Sequence, residues 1–457
     1  MKRTTQIIYR LLVVLFVSQN VLFVKAQTLS SGYFLEGNLQ RQMLNPAFEG
    51  EHNYIAFPLL GNINVGLNGN VGLSDFLYPY NKDGKKLTTF MSKTVDAADF
   101  LNGLPELPSV AADVDVTVLG AGFKAWGGYN TLRLSLHADA DVHVPKAFFQ
   151  FAKEGFQHNS YVFSNLSAQA LSYADLALGH SHAIGENLRI GATLHLLGGF
   201  SFADVAVEKL ELQMNETEWS ARSLANAEMG VFGDMEFTFD EDGFPSDIEG
   251  RPSLSSLGFG LDVGLEYDFS GVLEGLNASA ALTRIGRIGW KSAVKGTSGE
   301  GSYEYKGLGE INPNEMDLEE ELGKISEGIE GLVNLQFEES SGCHTTLAPS
   351  LRLGAEYSFP SYSKMSAAVF YTHDFNQYLP FNEARFFLNL SPAKIFEASL
   401  NVGFSTYGAS FGWMLNFHPK GFALFAGTDY MVFRITPQGI PVNHLNANVC
   451  LGLNIPF

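Results

Sequence analysis

The chain has 457 residues and a formal net charge of −20, with 17% charged and 13% aromatic residues. So acidic a chain repels nucleic acid, and we therefore expect no nucleic-acid partner. Beyond the N-terminus, no stretch approaches the roughly 18 consecutive apolar residues of a membrane-spanning helix, so any membrane insertion must use strands.

The N-terminus has the features of a secretory signal peptide. Basic residues precede the apolar stretch at residues 11–17, and Val24-Lys25-Ala26 fits a signal peptidase site. We expect residues 1–26 to be removed, which leaves a mature chain with a net charge of −24. A membrane anchor is the weaker alternative, because Ser18-Gln19-Asn20 interrupts the apolar run before it reaches the roughly 20 residues that span a bilayer.

Alternating apolar and polar residues, separated by turn residues, predict fourteen strands. In the first half these are residues 54–67, 113–124, 131–144, 165–182, 188–202, 257–269 and 276–290. In the second half they are residues 347–359, 365–375, 381–390, 396–404, 409–417, 422–433 and 445–457.

The last strand has the clearest pattern. Leu445, Val449 and Leu451 share a wholly apolar face, whereas Asn446 and Asn448 lie on a polar face. In a soluble sandwich the apolar face would meet a second sheet, but in an outer-membrane barrel it would meet lipid. The chain ends on an aromatic residue, as bacterial outer-membrane barrels usually do.

The lengths of the connections favour the barrel. Alternate connections are short turns, and all five long insertions then fall at the opposite end, namely residues 68–112, 145–164, 203–256, 291–346 and 436–443. Short periplasmic turns and longer external loops are typical of outer-membrane barrels. The sequence therefore predicts an all-β, transmembrane antiparallel barrel of about fourteen strands, located in the outer membrane.

Two insertions carry helical periodicity, so we expect helical extracellular insertions. One stripe consists of Leu87, Phe90, Met91, Val95, Ala98 and Leu101, and the other spans residues 316–333. We predict apolar ligand binding by the large apolar residues of the loops, which are Phe90, Met91, Phe100, Leu101, Phe148, Phe149, Phe151 and Phe156. The alternative is that these side chains merely pack on one another as a cap.

Polar side chains on the inner face of the predicted strands suggest no catalytic or metal centre. Asp113, Asp115, His137, Asp139, Asp141 and His143 share polar faces. A metal site is conceivable, but lumen polarity explains them more simply. His180 and His182 lie on the opposite face from Ser181, which is unsuited to a hydrolase. We expect no cofactor, no resident metal, no enzyme activity, and free thiols at Cys343 and Cys450.

The triplet Asn45-Pro46-Ala47, just before the first strand, resembles the N-terminal motif of FadL-like and PorV-like outer-membrane proteins. The whole chain resembles a Bacteroidetes-type outer-membrane family of unassigned function within that group. The resemblance implies a fourteen-stranded barrel at residues 54–457 and a plug at residues 27–53 that packs inside the lumen.

Two functions follow from this resemblance. The FadL branch implies passive transport or binding of hydrophobic small molecules, and we prefer this interpretation. The PorV branch implies a partner in secretion or outer-membrane assembly, for which the acidic external loops would supply the surface for a protein. Both interpretations place the barrel in contact with outer-membrane lipid.

Overall fold

Fourteen strands close into one antiparallel β-barrel in the computed structural model. The structure describes residues 29–79, 87–154, 160–214, 219–240, 243, 245–253, 255–298, 301–305, 335–340, 342–432 and 445–457. The first strands are β1 (Tyr54–Ala56), β2 (Ile63–Gly69), β3 (Leu77–Pro79), β4 (Leu87–Thr89), β5 (Ser109–Ala125), β6 (Gly128–His143), β7 (Ser160–Phe163), β8 (Leu166–Ile184), β9 (Leu188–Met214), β10 (Trp219–Val231), β11 (Asp234–Phe239), β12 (Pro245–Arg251) and β13 (Leu257–Asp268). They are followed by β14 (Leu276–Trp290), β15 (Ser292–Thr297), β16 (Gly301–Tyr305), β17 (Gln336–Ser340), β18 (Cys343–Thr346), β19 (Ser350–Ser358), β20 (Met365–Asp374), β21 (Phe381–Ala393), β22 (Phe396–Ser405), β23 (Gly408–Phe417), β24 (Ala423–Thr428) and β25 (Ala447–Pro456). The α-helices are α1 (Leu73–Phe76), α2 (Ala97–Gly103) and α3 (Lys146–Glu154).

The barrel wall follows chain order. Its members are β1 with β2, then β5, β6, β8, β9, β13, β14, β18 with β19, and β20 to β25 in sequence. The wall closes where β25 pairs with both parts of the first strand, with Ile455 opposite Ile55 and Leu451 opposite Ile63. The predicted all-β class and the strand count are therefore confirmed.

The two faces of the wall have opposite chemistry. On β25, Val449 is 57% exposed on the outside, whereas Asn448 and Cys450 are each 4% exposed on the inside. The same alternation recurs on β22, where Leu400 and Val402 face outward. The predicted faces of the last strand are thus confirmed, and the barrel is apolar outside and polar inside.

The two ends of the barrel differ as the connection lengths predict. At the end where β1 begins and β25 finishes, the turns are short, as at Trp126-Gly127 between β5 and β6. We call this the turn end. At the loop end, the connections carry α1 to α3 and several additional strands. Which end faces the cell exterior stays a prediction.

The predicted loop at residues 203–256 is wrong in part, because it contains strands. β9 is 27 residues long, and from Ser201 onward it pairs with β10, while its other edge stays paired with β8 as far as Val207. β10 in turn pairs with β15 and β16, and β11 pairs with β12 as a separate hairpin. Apolar residues do alternate with polar ones here, as Met235, Phe237 and Phe239 of β11 show, so the sequence contained a strand signal that the prediction of a loop missed.

Three predicted elements differ from the structure. The first strand is split at residues 57–62, where Pro58 lacks a donor and Leu59 has a φ of 61°. β24 ends at Thr428, because the backbone N–H of Asp429 binds the side chain of Asn448 instead of a neighbouring strand. The stripe that begins at Leu87 is not one helix, since β4 occupies its start and α2 begins only after Asp96.

Several expectations lie outside the described residues, namely the signal peptide at residues 1–26, Phe156 and the stripe at residues 316–333. Within the described part of the chain, no helix is both long and apolar enough to cross a membrane. Neither Cys343 nor Cys450 forms a disulfide in the structure.

Residues 29–50, which we call the N-terminal segment, lie inside the barrel. Nearly all of them are buried, and their side chains form apolar clusters with inward-facing residues of the wall. Tyr33, for example, packs edge-on to Phe34 and against Phe370 of β20. That residues 27–53 act as a separate plug domain stays a prediction.

Candidate functional site

The Asn45-Pro46-Ala47 turn is at the centre of the N-terminal segment. The Asn45 side-chain oxygen accepts a hydrogen bond from the Ala47 N–H at 2.9 Å, which closes a turn of the kind that Asn favours. Its amide nitrogen donates to the Tyr33 hydroxyl at 3.2 Å and to the carbonyl oxygen of Leu265 in β13 at 3.2 Å. Asn45 and Ala47 are fully buried. The turn is therefore bonded both to its own segment and to the barrel wall.

The Tyr33 hydroxyl continues this contact to a second strand. Burial raises the pKa of Tyr33, so the phenol stays protonated and can donate to Ser279 Oγ of β14, 2.9 Å away, while accepting from Asn45.

Two glycines of the wall make room for the Asn45-Pro46-Ala47 turn. A Cβ on Gly191 would lie 2.1 Å from the Pro46 carbonyl oxygen, and one on Gly264 would lie 2.0 Å from the Asn45 side-chain oxygen. Only glycine permits so close an approach.

We predict that replacing both Asn45 and Pro46 with Ala loosens the N-terminal segment. The change leaves buried partners of the Asn45 amide unsatisfied, at a cost of about 1–3 kcal/mol. Limited proteolysis of the purified barrel should cut the segment several times faster than in the wild type. Pro392→Ala, at an exposed position near the end of β21, is the control, and equal cleavage rates in all three proteins would contradict the prediction.

Two carboxylates of the wall hold the backbone of the N-terminal segment. Asp429 accepts hydrogen bonds from the N–H groups of Ser30 and Ser31 at 2.7 and 2.8 Å. Glu397 of β22 accepts from the Gly37 N–H at 3.1 Å with both oxygens. Carboxylates that accept from backbone N–H groups form strong, charge-assisted hydrogen bonds. They therefore fix the path of the segment at two separate points.

On the lumen side of the wall, three carboxylates and two imidazoles alternate from one strand to the next. We call these five side chains the Asp–His chain. His137 of β6 bonds to Asp115 of β5, and its other nitrogen lies 3.8 Å from Asp175 of β8. His195 of β9 lies 2.9 Å from Asp175 and 3.2 Å from Asp262 of β13. Each imidazole thus lies between two carboxylates, and the chain joins five neighbouring strands.

A β-bulge extends the Asp–His chain to β14. Thr283 and Arg284 together face the single residue Asp262, and Arg284 has a φ of 61°. The Arg284 N–H donates to Asp262 at 2.6 Å, while its guanidinium lies 3.4 Å from Asp139 of β6. A non-glycine residue in this conformation costs about 1–3 kcal/mol, which is typical of functional positions. The bulge directs the Arg284 side chain into the lumen.

Above the Asp–His chain, towards the loop end, lies a cavity of about 410 Å³, which we call the outer cavity. Its walls come from β5, β6, β8, β9, β10, β14, β18 and residues 347–349, 375–379 and 407. Asp139 and Arg284 separate it from a smaller cavity of about 70 Å³ at the Asp–His chain. The outer cavity falls within the size range of small-molecule pockets, about 300–1,000 Å³.

A family model described as "Family of unknown function (DUF5723)" matches residues 46–429. The chain belongs to this family. No protein with a curated description matches the sequence. The family description names no activity for its members.

Several solved structures resemble the DUF5723 barrel at low identity. The toluene transporter TbuX of Ralstonia pickettii has a TM-score of 0.42 and 8% identity over 91% of this chain and 93% of that chain. The toluene transporter TodX of Pseudomonas putida has a TM-score of 0.39 and 8% identity over 92% and 94%. A Pseudomonas aeruginosa FadL homologue has a TM-score of 0.39 and 10% identity over 95% and 98%. Similarities this weak do not indicate what the DUF5723 member binds.

The large apolar loop residues form two clusters at the loop end. Phe90 and Phe100 stack with ring centroids 4.5 Å apart, and Phe149 and Leu101 pack around them. Phe151 belongs to the second cluster, where its ring lies 5.0 Å from that of Tyr161. Met91 and Phe148 remain 53% and 46% exposed. The rings thus pack on one another, as a cap would. We call these loop residues together the loop aromatic cluster, namely Phe90, Met91, Phe100, Leu101, Phe148, Phe149 and Phe151. Ligand binding by this cluster stays a prediction.

The sequence patterns predicted only part of the polar site in this family member. Asp113, Asp115, His137 and His143 face the lumen as predicted. Asp175, His195 and Asp262 of the Asp–His chain were missed, although each lies on the polar face of a predicted strand. That shared face, repeated on consecutive strands, was the available signal.

The described residues contain no group of three or more His, Cys, Asp and Glu side chains arranged to hold a metal ion. Ser181 is buried, whereas His180 and His182 lie exposed on the other face, with ring centroids 5.9 Å apart. Ser181 and the two histidines therefore lie on opposite faces of β8, as their spacing predicts. These three side chains do not come together as a catalytic group.

Proposed function

We propose that the chain is an outer-membrane barrel that binds hydrophobic small molecules and passes them across the membrane without an energy source. The observation that carries the proposal is the reversed polarity of the wall, which is apolar outside and polar inside. A soluble barrel would expose polar residues to water, whereas a membrane barrel exposes apolar residues to lipid. Leu400, Val402 and Val449 are examples of this outer belt.

The outer cavity supports binding of a small solute. Phe202, Leu347, Phe375 and Tyr407 contribute apolar surface to its walls. Ligand pockets are usually apolar concavities with a few fixed polar groups, and this cavity combines both features. The exposed side chains of Met91 and Phe148, in the loop aromatic cluster, offer a first contact for an apolar solute near the barrel.

The contents of the lumen support a binding barrel over an open aqueous pore. Below the outer cavity, the Asp–His chain and the N-terminal segment occupy the lumen. We propose that this segment acts as the plug and that a solute passes only when the segment shifts. The alternative role as a partner in secretion has no supporting observation among the described residues.

The proposal predicts saturable binding of an uncharged apolar probe. N-phenyl-1-naphthylamine fluorescence, titrated with the barrel in lipid nanodiscs, should saturate at about one probe per chain. Phe375→Ser should weaken binding several-fold, because Phe375 lines the outer cavity. Phe148→Ser is a matched variant, since the two rings have similar exposures of 51% and 46%.

The two variants separate the two candidate sites. A loss confined to Phe148→Ser would place the probe at the loop aromatic cluster instead of the outer cavity. Absence of saturable binding, together with large steady ion conductance in planar bilayers, would contradict the proposed function and indicate a general pore.

A further inference from the structure

The outer cavity has an uneven charge balance. Four carboxylates line it, from Asp139, Asp141, Asp204 and Glu228, whereas Arg284 is the single Lys or Arg among the described residues that line it. Three of the carboxylates have a basic partner. Asp139 faces Arg284 at 3.4 Å, Asp141 faces His143 at 2.8 Å, and Glu228 faces Lys295 at 2.8 Å.

The fourth, Asp204, has no basic partner in the part of the chain that the structure describes. The hydrogen bonds that reach it from the described residues come from neutral donors, Gln169 at 2.9 Å and the Tyr378 hydroxyl at 3.1 Å. Asp141 and Glu228 lie close enough to repel it electrostatically. A partly buried carboxylate surrounded by neutral donors and like charges is stabilised when a cation enters its cavity.

The Tyr378 hydroxyl cannot take over the role of a charged partner. Burial and the neighbouring Asp204 carboxylate both raise the pKa of Tyr378 above its usual range, so it remains a neutral donor. Its ring lies 5.9 Å from that of His143 and lines the same cavity. The negative charge of Asp204 therefore stays uncompensated on this side.

Aromatic rings line the cavity beside these carboxylates. Phe202 and Tyr407 are each 5% exposed, and Phe202 is held by Trp290, with ring centroids 4.7 Å apart. Aromatic faces attract cations and also cover apolar groups.

Arg284 limits where a cationic head can lie in the outer cavity. Its guanidinium lies 3.4 Å from Asp139 and already neutralises that carboxylate. Its buried Nε atom has no hydrogen-bond partner among the described residues, and as a donor it needs an acceptor, which a water molecule can supply but an ammonium cannot. The carboxylate left for a cationic head is therefore Asp204, beside the aromatic faces.

We propose that the ligand of the outer cavity is an organic cation, an amine or ammonium with an apolar or aromatic body, whose charge faces Asp204. The inference rests on the proposed function, because it names the class of small molecule that the same cavity takes. The body of the ligand lies against Phe202 and Tyr407, and its cationic head replaces the missing basic partner.

The test uses three probes with one body and different heads, namely 4-phenylbutylamine, 4-phenylbutanol and 4-phenylbutyrate. Isothermal titration of the full barrel in nanodiscs gives a Kd for each. We expect the amine to bind about tenfold more tightly than the alcohol, with the carboxylate weakest, because the cavity carries excess negative charge. Adding salt should reduce the advantage of the amine.

Asp204→Asn should remove most of the tenfold advantage and leave the alcohol affinity unchanged, since Asn keeps the size and accepts from Gln169. Glu249→Gln, an exposed carboxylate in β12, is the control for overall charge. Heat-modified migration on gels checks that both variants are folded.

The outcomes separate the inference from the proposed function. Equal binding of amine and alcohol would overturn the cation inference and leave a hydrophobic cavity. Tight amine binding that survives Asp204→Asn would also overturn it. If none of the three probes binds, the inference and the proposed function both fail.

Discussion

Arg385→Met should destabilise the barrel by about 3–5 kcal/mol, the usual result of removing one member of a buried ion pair. Arg385 of β21 is fully buried, and its guanidinium donates to Glu383 at 2.6 and 3.1 Å. It also donates to the Asp429 carbonyl at 3.1 Å. The variant leaves the Glu383 carboxylate inside the lumen wall without its basic partner.

The same variant should release the start of the N-terminal segment. The Arg385 guanidinium lies 4.0 Å from the Asp429 carboxylate, which holds the N–H groups of Ser30 and Ser31. When this guanidinium is removed, Asp429 keeps its backbone contacts but loses the positive charge that offsets its burial. Protease should therefore reach the segment sooner, even under conditions where the barrel stays closed.

Urea unfolding in lipid vesicles, followed by tryptophan fluorescence, measures the first effect, and limited proteolysis measures the second. Arg287→Met is the matched control, because Arg287 is an exposed arginine of β14. It should change the free energy of unfolding by less than about 0.5 kcal/mol. An unchanged unfolding midpoint for Arg385→Met would show that the buried pair does not stabilise the barrel.

The strands of the barrel wall were predictable because the signals that mark them lie within each strand and its flanking turns. One face of each strand is apolar and the other polar, so the alternation around Val449 on β25 marks both the strand and its orientation. Turn residues fix where each strand stops. The prediction therefore located all fourteen members of the wall, although the ends of β24 and the first strand were misplaced.

The polar site was less predictable, because it depends on contacts between strands. The Asp–His chain forms only when five strands pair in the correct register, and the bulge at Arg284 shifts that register. No single-strand pattern encodes a φ of 61° at an arginine. Likewise, Gly191 and Gly264 resemble ordinary strand glycines until the Asn45-Pro46 turn is placed against them.

The prediction of one helix over the stripe from Leu87 to Leu101 was wrong, although the sequence contains the local signals that divide this stretch. The Asp96 side chain accepts a hydrogen bond from the Asp99 N–H at 3.0 Å, which caps α2 at its start. Before it, the Ser92 and Thr94 side chains bond to each other in a turn. Apolar spacing alone could not separate the capped helix from the strand that precedes it.

Val449→Arg should impair insertion and destabilise the barrel in a bilayer by about 2–4 kcal/mol, the cost of an arginine on the lipid face near the midplane. Val449 lies on the outer face of β25, opposite Val65 of β2, and is 57% exposed on the outer belt. If the belt faced water, the same arginine would be tolerated. The variant therefore tests directly whether this face meets lipid.

Ile248→Arg is the matched control, because Ile248 is also an exposed aliphatic residue, at 40%, but lies in the β11–β12 hairpin outside the barrel wall. It should alter the free energy of unfolding by no more than about 0.5 kcal/mol. Folding yield into phospholipid vesicles and urea unfolding from them measure both variants. Equal tolerance of the two arginines would mean that the outer belt does not contact hydrocarbon. An arginine at Val449 and one at Ile248 have the same small effect on the free energy of unfolding only if both positions are exposed to water.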